Sequence, residues 1–370
     1  MPCEGFLPKG QRKSSLPGNE GNAMNQLYRE IAEQPEVFRR IVTTYVNEET
    51  FVSWYEDHPG TIYLTGMGSS LFAAYPAYLY LLSRGFPVVY IDASELLHYG
   101  LQGIRDVDTL VLLSQSGESY EVLEILNRLT SRPKTLAFTA SPKSTLARRV
   151  TKAIDILSGT EYAVTATKTH TATLVTLNLW AMAQAKDKAT FLHASLDLEL
   201  LAEEAERLIG TSPEWTKKTL KSLEFAQGAE TRVLIARGPA LSAAWHGCLL
   251  MYECAKETFL SFSGGQFRHG PLELAVKTMF AIVLALPGKT QELLVRLAEE
   301  LAGRGVGVLL VGATLEERYN LKVLPLHFPN EYFAPALSVI PIMLLAYTMA
   351  EEKGIEPGKA FLIQKTTLRE

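Results

Sequence analysis

Ser114, Gln115, Ser116, Gly117, Glu118 and Ser119 stand between the apolar run TLVLLS and the run YEVLEILNRL. A strand feeding a helix through that turn brings three hydroxyls and an amide to the free N–H groups of a helix N-terminus, which is what a small phosphate needs. The turn has neither a Walker-type lysine nor GxGxxG spacing, so hydroxyls and helix dipole would hold the phosphate, and the ligand is expected to be a phosphorylated small molecule. The plain alternative is a helix N-cap, a common use of Ser with Glu nearby. A second polar cluster lies further along: His246, Glu253, Glu257 and His269, the last within Phe267-Arg268-His269-Gly270-Pro271. On a helix, Glu253 and Glu257 stand one turn apart, with His246 two turns before Glu253 on roughly the same side. A carboxylate held beside a substrate carbon can shuttle a proton. For Glu257, an ion pair with Lys256 or a solvated face explains the residue better. His269 lies in a Gly- and Pro-bounded loop without a helical core role. No HExxH or comparable ligand triad is present, so no metal is expected.

The elements that must position these residues alternate. The run MNQLYREIAEQPEVFRRIVTTYV from Met24 places Leu27, Ile31, Val37, Ile41 and Tyr45 near one helical face, with Pro35 marking a break or a new start. TIYLTG (61–66) reads as a strand ending in Gly66-Met67-Gly68-Ser69-Ser70, followed by a helix. Further strands are expected at 88–91, 109–114, 135–139 and 153–157, with helix-length segments between them. Strands separated by helices give a mostly parallel sheet covered on both faces. A helix over 167–185 closes this unit, and a charged helix, 196–208, leads to a second. There RVLIARG (232–238) repeats the strand and glycine turn of TIYLTG, a weak internal duplication. Strands follow at 279–286, 307–311 and 323–326, then a helix over 336–351 interrupted by Pro341. The last 17 residues have no periodicity, yet Phe361, Leu362, Ile363 and Lys365 make them more apolar than a disposable terminus, favouring a segment that covers something.

At 370 residues, 47% apolar and 21% charged, the chain exceeds the length at which a single core stops growing, so two domains with two cores are expected. The expected divisions are an extension at 1–23, a helical segment at 24–50, a first domain at 51–195, a helical linker at 196–230, a second domain at 231–353 and a tail at 354–370 placed over the active site. A net charge of −4 and a pI near 6.1 leave no polyanion footprint, so no nucleic-acid partner is expected. No run reaches 18 apolar residues; 335–350 reads as a buried helix, so no membrane partner is expected. The Gly-, Pro-, Lys- and Ser-rich start is not a signal peptide. Cys3, Cys248 and Cys254 form no CxxC pair, which fits a reduced, cytosolic protein.

From Met24 onward the order EQPEV, GMGSS, SQSGES, EYAVTATKT, ARGPALSAAWHG, FRHGPLEL and KTTLRE resembles the sugar isomerase, or SIS, family, and in particular the isomerase halves of isomerizing glucosamine-fructose-6-phosphate aminotransferases. The resemblance implies an α/β fold of two SIS domains, each a mostly parallel sheet flanked by helices in a three-layer sandwich. It places a sugar phosphate on Ser69, Ser114, Gln115, Ser116 and Ser119. It makes Glu253, sixteen residues before His269, the catalytic glutamate. It gives His269 a role in ring opening within the neighbouring subunit's site, hence a homodimer with shared active sites, and makes Lys365 the C-terminal lysine. Gly68, Thr165, Lys168, His246 and Glu257 are further substrate-site candidates. Two departures stand out. No nucleophilic cysteine follows an initiating methionine, so no glutaminase half and no ammonia from glutamine are expected. Leu250 and His246 replace a lysine and a glutamate of the isomerase, which argues against simple synthesis of glucosamine 6-phosphate. The expected reaction is deamination of glucosamine 6-phosphate to fructose 6-phosphate and ammonia, without a cofactor. A deglycase of phosphorylated sugar–amino acid adducts, a plain aldose/ketose isomerase and a non-catalytic sugar-phosphate sensor are the alternatives, although no helix-turn-helix or other output module is visible for the last.

Overall fold

The computed structural model of the protein describes residues 25–212 and 228–365. The expected extension at 1–23, the middle of the expected linker and the last five residues lie outside the described residues. Two five-stranded parallel sheets form the frame. In the first, β1 (Ile62–Gly66), β2 (Val88–Asp92), β3 (Thr109–Leu113), β4 (Lys134–Thr139) and β5 (Lys152–Asp155) lie in the order β2-β1-β3-β4-β5. In the second, β6 (Thr231–Ala236), β7 (Leu260–Ser263), β8 (Met279–Leu284), β9 (Gly307–Gly312) and β10 (Leu321–Pro325) lie in the order β10-β9-β8-β6-β7. This is the α/β architecture expected from the alternating pattern.

The central strands read as continuous apolar runs because both of their faces are covered. Leu110 and Leu112 of β3 pack outward under the helices around 93–103 and 120–128, while Val111 and Leu113 face the interior. In the second sheet Ala281 and Val283 face the outer helix Gln291–Gly303, and Phe280, Ile282 and Leu284 face inward. The inward faces of both sheets share one core, filled by the helices Gln34–Tyr45, Lys168–Gln184, Lys188–Gly210, Leu241–Leu250 and Ala334–Glu352. The expectation of two separate cores is therefore refined: the largest core lies between the sheets, with a smaller one on each outer side.

Three local expectations change. The helix Ala334–Glu352 continues through Pro341, because burial between the sheets outweighs the hydrogen bond that proline removes. It has the length and apolar character to cross a membrane but is buried inside the protein. The helix carrying His246 and Glu253 passes from α-helix (Leu241–Leu250) into a π-turn (Met251–Ala255) and stops at Lys256, whose φ is 53°. The Glu257 N–H donates to the Met251 carbonyl at 3.0 Å, closing the end of the π-turn behind the left-handed Lys256. Glu257 thus leaves the face it would share with Glu253. The strand β7 and the helix Glu48–Trp54 are elements beyond those read from the sequence.

Each sheet has a crevice outside the carboxyl ends of its strands where the order reverses, between β1 and β3 and between β6 and β8, the usual ligand position of open parallel sheets. The second crevice is closed by the chain itself. Glu331 lies across Gly288 (φ 128°), where an added Cβ would come within 2.0 Å of Glu331 Oε2, and the Lys289 N–H donates to that oxygen at 3.4 Å. Between Arg237, Thr290 and Glu331 about 10 Å³ remains, room for about one water.

Candidate active site

At the first crevice, β1 pairs with β3 in register, Gly66 beside Leu113, so the glycine loop and the serine turn emerge side by side. Gly66 is required by this closeness, since a Cβ there would stand 2.7 Å from the Leu113 carbonyl oxygen. Gly68 (φ 47°) starts the helix Gly68–Ala73, which carries Ser69 in its first turn. Across the crevice Ser114 is buried, and its hydroxyl lies 2.8 Å from that of Ser119 and accepts from the Gly117 N–H at 3.1 Å. Gly117 has φ 67°, and a Cβ would stand 2.1 Å from Ser144 Oγ. Ser116 Oγ accepts from the Glu118 N–H at 3.2 Å, and the Gln115 carbonyl accepts from the Ala140 N–H at 3.1 Å and the Thr139 hydroxyl at 3.2 Å. Ser119 stands at the N-cap of the helix Tyr120–Arg128 without making a side-chain cap bond. Its hydroxyl is turned to Ser114, so the plain N-cap reading does not describe this turn. Outside it an open depression of about 500 Å³ is lined by Ser116, Glu118, Ser141, Pro142, Lys143 and Ser144. Lys143 was not among the sequence candidates, because a lysine in the loop after β4 carries no motif.

The second half of the site is built on residues 161–169. Glu161 is buried and accepts from the Thr167 N–H (2.8 Å), the Thr167 hydroxyl (3.0 Å), the Thr169 N–H (3.2 Å) and the Thr169 hydroxyl (2.7 Å), pinning the segment just before the helix Lys168–Gln184. Lys365 reaches the same carboxylate at 3.2 Å and donates to the Ala163 carbonyl. Gly358 accepts from the Val164 N–H at 3.3 Å, and Lys256 donates to the Lys359 carbonyl at 3.3 Å. The tail therefore lies over 161–164. Glu253 stands here, half-buried, and burial pushes its carboxyl up to about 7 against the opposing pull of the Thr165 hydroxyl, Lys256 and Lys365, with Glu161 adding to the rise. A carboxyl that titrates near neutrality can exchange a proton with a carbon acid.

The two halves meet through a pair of histidines. His170 Nδ1 lies 3.1 Å from the Ser69 carbonyl oxygen and 3.3 Å from its hydroxyl. The His170 ring stacks on His246 from the second sheet's helix, with centroids 3.8 Å apart and planes 14° apart. His246 Nε2 lies 3.1 Å from the Ala166 carbonyl oxygen. Both rings are completely buried, and burial lowers the His170 pKa to about 4 and holds His246 well below the usual imidazole range, His170 adding to the latter effect.

The fold thus gathers Gly68, Ser69, Ser114, Gln115, Ser116 and Ser119 at one crevice, and Thr165, Glu253 and Lys365 beside the segment that His246 and His170 tie to it. Two candidates are turned elsewhere. Lys168 is buried in an ion pair with Glu33, and Glu257 pairs with Lys353 at 2.5 Å and Arg232 at 3.4 Å. His269 is exposed after the short helix Gly264–Phe267, and none of its hydrogen bonds among the described residues reaches Glu253 or the serine turn. Reading the sequence missed Glu30, a buried carboxylate that accepts from the Tyr162 N–H at 2.5 Å and the Ala163 N–H at 3.2 Å. Its signal was present, since Glu30 falls between Leu27 and Ile31 on the apolar face. Among the described residues no group of three His, Cys, Asp or Glu is placed to hold a metal ion.

Comparison with known proteins agrees with this fold. Residues 57–183 match the SIS domain family. A glutamine–fructose-6-phosphate aminotransferase (isomerizing) of Shouchella clausii is 29% identical over 356 residues, 92% of this chain and 58% of that protein. The same enzyme of Pyrobaculum aerophilum is 28% identical over 318 residues, 82% of this chain and 51% of that protein. The chain spans a little over half the length of such curated relatives. Among solved structures, the C-terminal domain of glucosamine-fructose-6-phosphate aminotransferase from Francisella tularensis superposes with a TM-score of 0.80 at 22% identity, covering 91% of this chain and 98% of that one. Glucosamine-6-phosphate deaminase of Thermotoga maritima gives 0.68 at 22% identity, covering 92% and 99%. Tagatose-6-phosphate ketose/aldose isomerase of Escherichia coli gives 0.76 at 17% identity, covering 92% and 96%. These three share a fold and differ in reaction. The serine turn at the switch point of the first five-stranded parallel sheet lies within residues 57–183, the part of the chain that matches the SIS domain family.

Proposed function

We propose that the protein deaminates glucosamine 6-phosphate to fructose 6-phosphate and ammonia. The observation that carries this reading is Glu253, a half-buried carboxyl poised near pH 7 beside Lys365 and the tail. Ser69, Ser114, Gln115, Ser116 and Ser119 would hold the phosphate dianion by hydroxyls and the N-terminus of the helix Tyr120–Arg128. Once the ring is open, Glu253 takes the C2 proton and returns it to C1. A proton lost by the C2 amine goes to O1, so the C1 aldehyde becomes a hydroxymethyl group and the C2 amine an imine, which water hydrolyses to the ketone with release of ammonia. The aldehyde and the imine acidify the C–H bonds, so the step needs no electron sink beyond the substrate. His269, exposed on this subunit, would assist ring opening in the site of a second copy, giving a homodimer with shared sites. The free, buried Cys248 and Cys254 fit a reducing, cytosolic setting.

A deglycase would need room beside the sugar for an aminoacyl group; Leu250, which stands where the isomerase has a lysine, packs into the central core and opens no such room, so the deaminase is preferred. The test is incubation with glucosamine 6-phosphate, following ammonia and fructose 6-phosphate, with Glu253→Gln as the control. Release that falls by about 10²- to 10⁴-fold in the variant supports the deaminase. No release by the native protein, with turnover of fructosamine-type 6-phosphates, would transfer the assignment to the deglycase.

A further inference from the structure

The stacked histidines have no assigned role, and their chemistry limits what that role can be. The Ser69 and Ala166 carbonyls can only accept, so His170 carries its proton on Nδ1 and His246 on Nε2. The opposite nitrogens, His170 Nε2 and His246 Nδ1, have no partner among the described residues. Apart from the Ser69 hydroxyl, 3.3 Å from His170 Nδ1, neither ring touches a side chain with which it could exchange a proton, and both are kept neutral by burial. A neutral pair can stack face to face without charge repulsion, and this one joins elements of the two sheets: the helix Lys168–Gln184 that closes the first and the helix Leu241–Leu250 that follows β6. Each ring holds one turn. His170 fixes Ser69 in the glycine loop, and His246 fixes Ala166, the residue after Thr165, whose hydroxyl bears on Glu253.

We propose that His170 and His246 are positioning residues, a strut that sets the spacing between the Ser69 turn and the Thr165–Ala166 turn and so between the phosphate end and the proton-transfer end of the substrate. The inference rests on the reading of those two ends given above. Phenylalanine in either place keeps a flat ring in the stack and removes one hydrogen bond, so each end can be loosened alone. His170→Phe should weaken binding of inorganic phosphate and raise KM about three- to tenfold, the size of one hydrogen bond, with kcat within twofold. His246→Phe should do the reverse, lowering kcat about three- to tenfold with phosphate affinity unchanged. His246→Gln, whose amide can again donate to the Ala166 carbonyl, should recover most of that loss.

A readout independent of turnover is the Glu253 carboxyl itself, followed by carbon NMR of labelled protein. Thr165, Lys256 and Lys365 pull its titration down, while burial and Glu161 push it up. Loosening Thr165 by His246→Phe should move the titration upward, and His246→Gln should restore it. Equal loss of KM and kcat effects in both variants, in step with a drop in Tm, would make the pair plain core packing and overturn the proposal. So would an unmoved Glu253 titration in a well-folded His246→Phe protein. If the native protein binds no inorganic phosphate and turns over no sugar phosphate, the site reading falls, and the NMR titration still decides the strut.

Discussion

Glu253 is a carboxylate made useful by where the chain puts it. On an exposed helix it would be ionised throughout the physiological range. Half-buried in the middle of the π-turn Met251–Ala255, it holds its proton up to about pH 7 despite two lysines nearby. In the proposed role of base for the C2 proton it must be ionised, so kcat should rise with pH through about 7 and level off above. Lys365 lowers this titration, and Lys365→Met should therefore shift the rising limb to higher pH as well as reduce the rate. A limb that stays in place in the variant would show that the lysine does not act on Glu253. The neutral histidines illustrate the complementary rule, that burial without an anionic partner strips an imidazole of its charge.

Among the elements, the serine turn is the most constrained. Gly117 combines a left-handed φ with a path so close to Ser144 that no side chain fits. Gly117→Ala should cost about 1–3 kcal/mol, seen as a lowered Tm, and should weaken phosphate binding more than it slows catalysis. A variant with native Tm and native phosphate affinity would mean the turn has slack that its contacts do not suggest. Strands and helices of this kind were legible in the sequence because buried parallel strands are unbroken apolar runs, as in TLVLL and MFAIVL, between helices with a polar face. The short strand Leu260–Ser263 was not. It is an edge strand with an exposed Leu260 and polar neighbours, so it lacks the apolar run that marks the others. The end of the helix at Lys256 was equally hidden, since a lysine in a left-handed conformation is set by tertiary contacts and not by propensity. That one residue separated Glu253 from Glu257. The serine turn at the crevice was readable from residue types and spacing, while Ser69 entered only through the family resemblance. Of the carboxylates that hold the 161–169 segment, Glu30 was marked as buried by its place on an apolar helix face, but the role of both Glu30 and Glu161 comes only from the backbone N–H groups that converge on them.

At the scale of the molecule, the two halves repeat one plan, two five-stranded parallel sheets of like topology. Both sheets keep the reversal of strand order that opens a crevice, and both follow their first strand with a glycine in a positive φ, Gly68 in one and Gly238 in the other. The helices between the sheets form a single core, so the halves should melt together as one cooperative unit, and the catalytic groups can be drawn from both. Glu331 gives the second crevice a built-in anion: its carboxylate lies where a ligand's negative group would otherwise be drawn, against the Lys289 N–H at the start of the helix Gln291–Gly303. Symmetry of fold therefore does not imply symmetry of occupancy. A calorimetric titration with a hexose 6-phosphate should saturate at one ligand per chain, not two, and a stoichiometry of two would mean that Glu331 swings aside. On the proposed function the carboxylate is a resident counterfeit of the substrate's charge, and a molecule with two like folds would then keep a single place at which to bind.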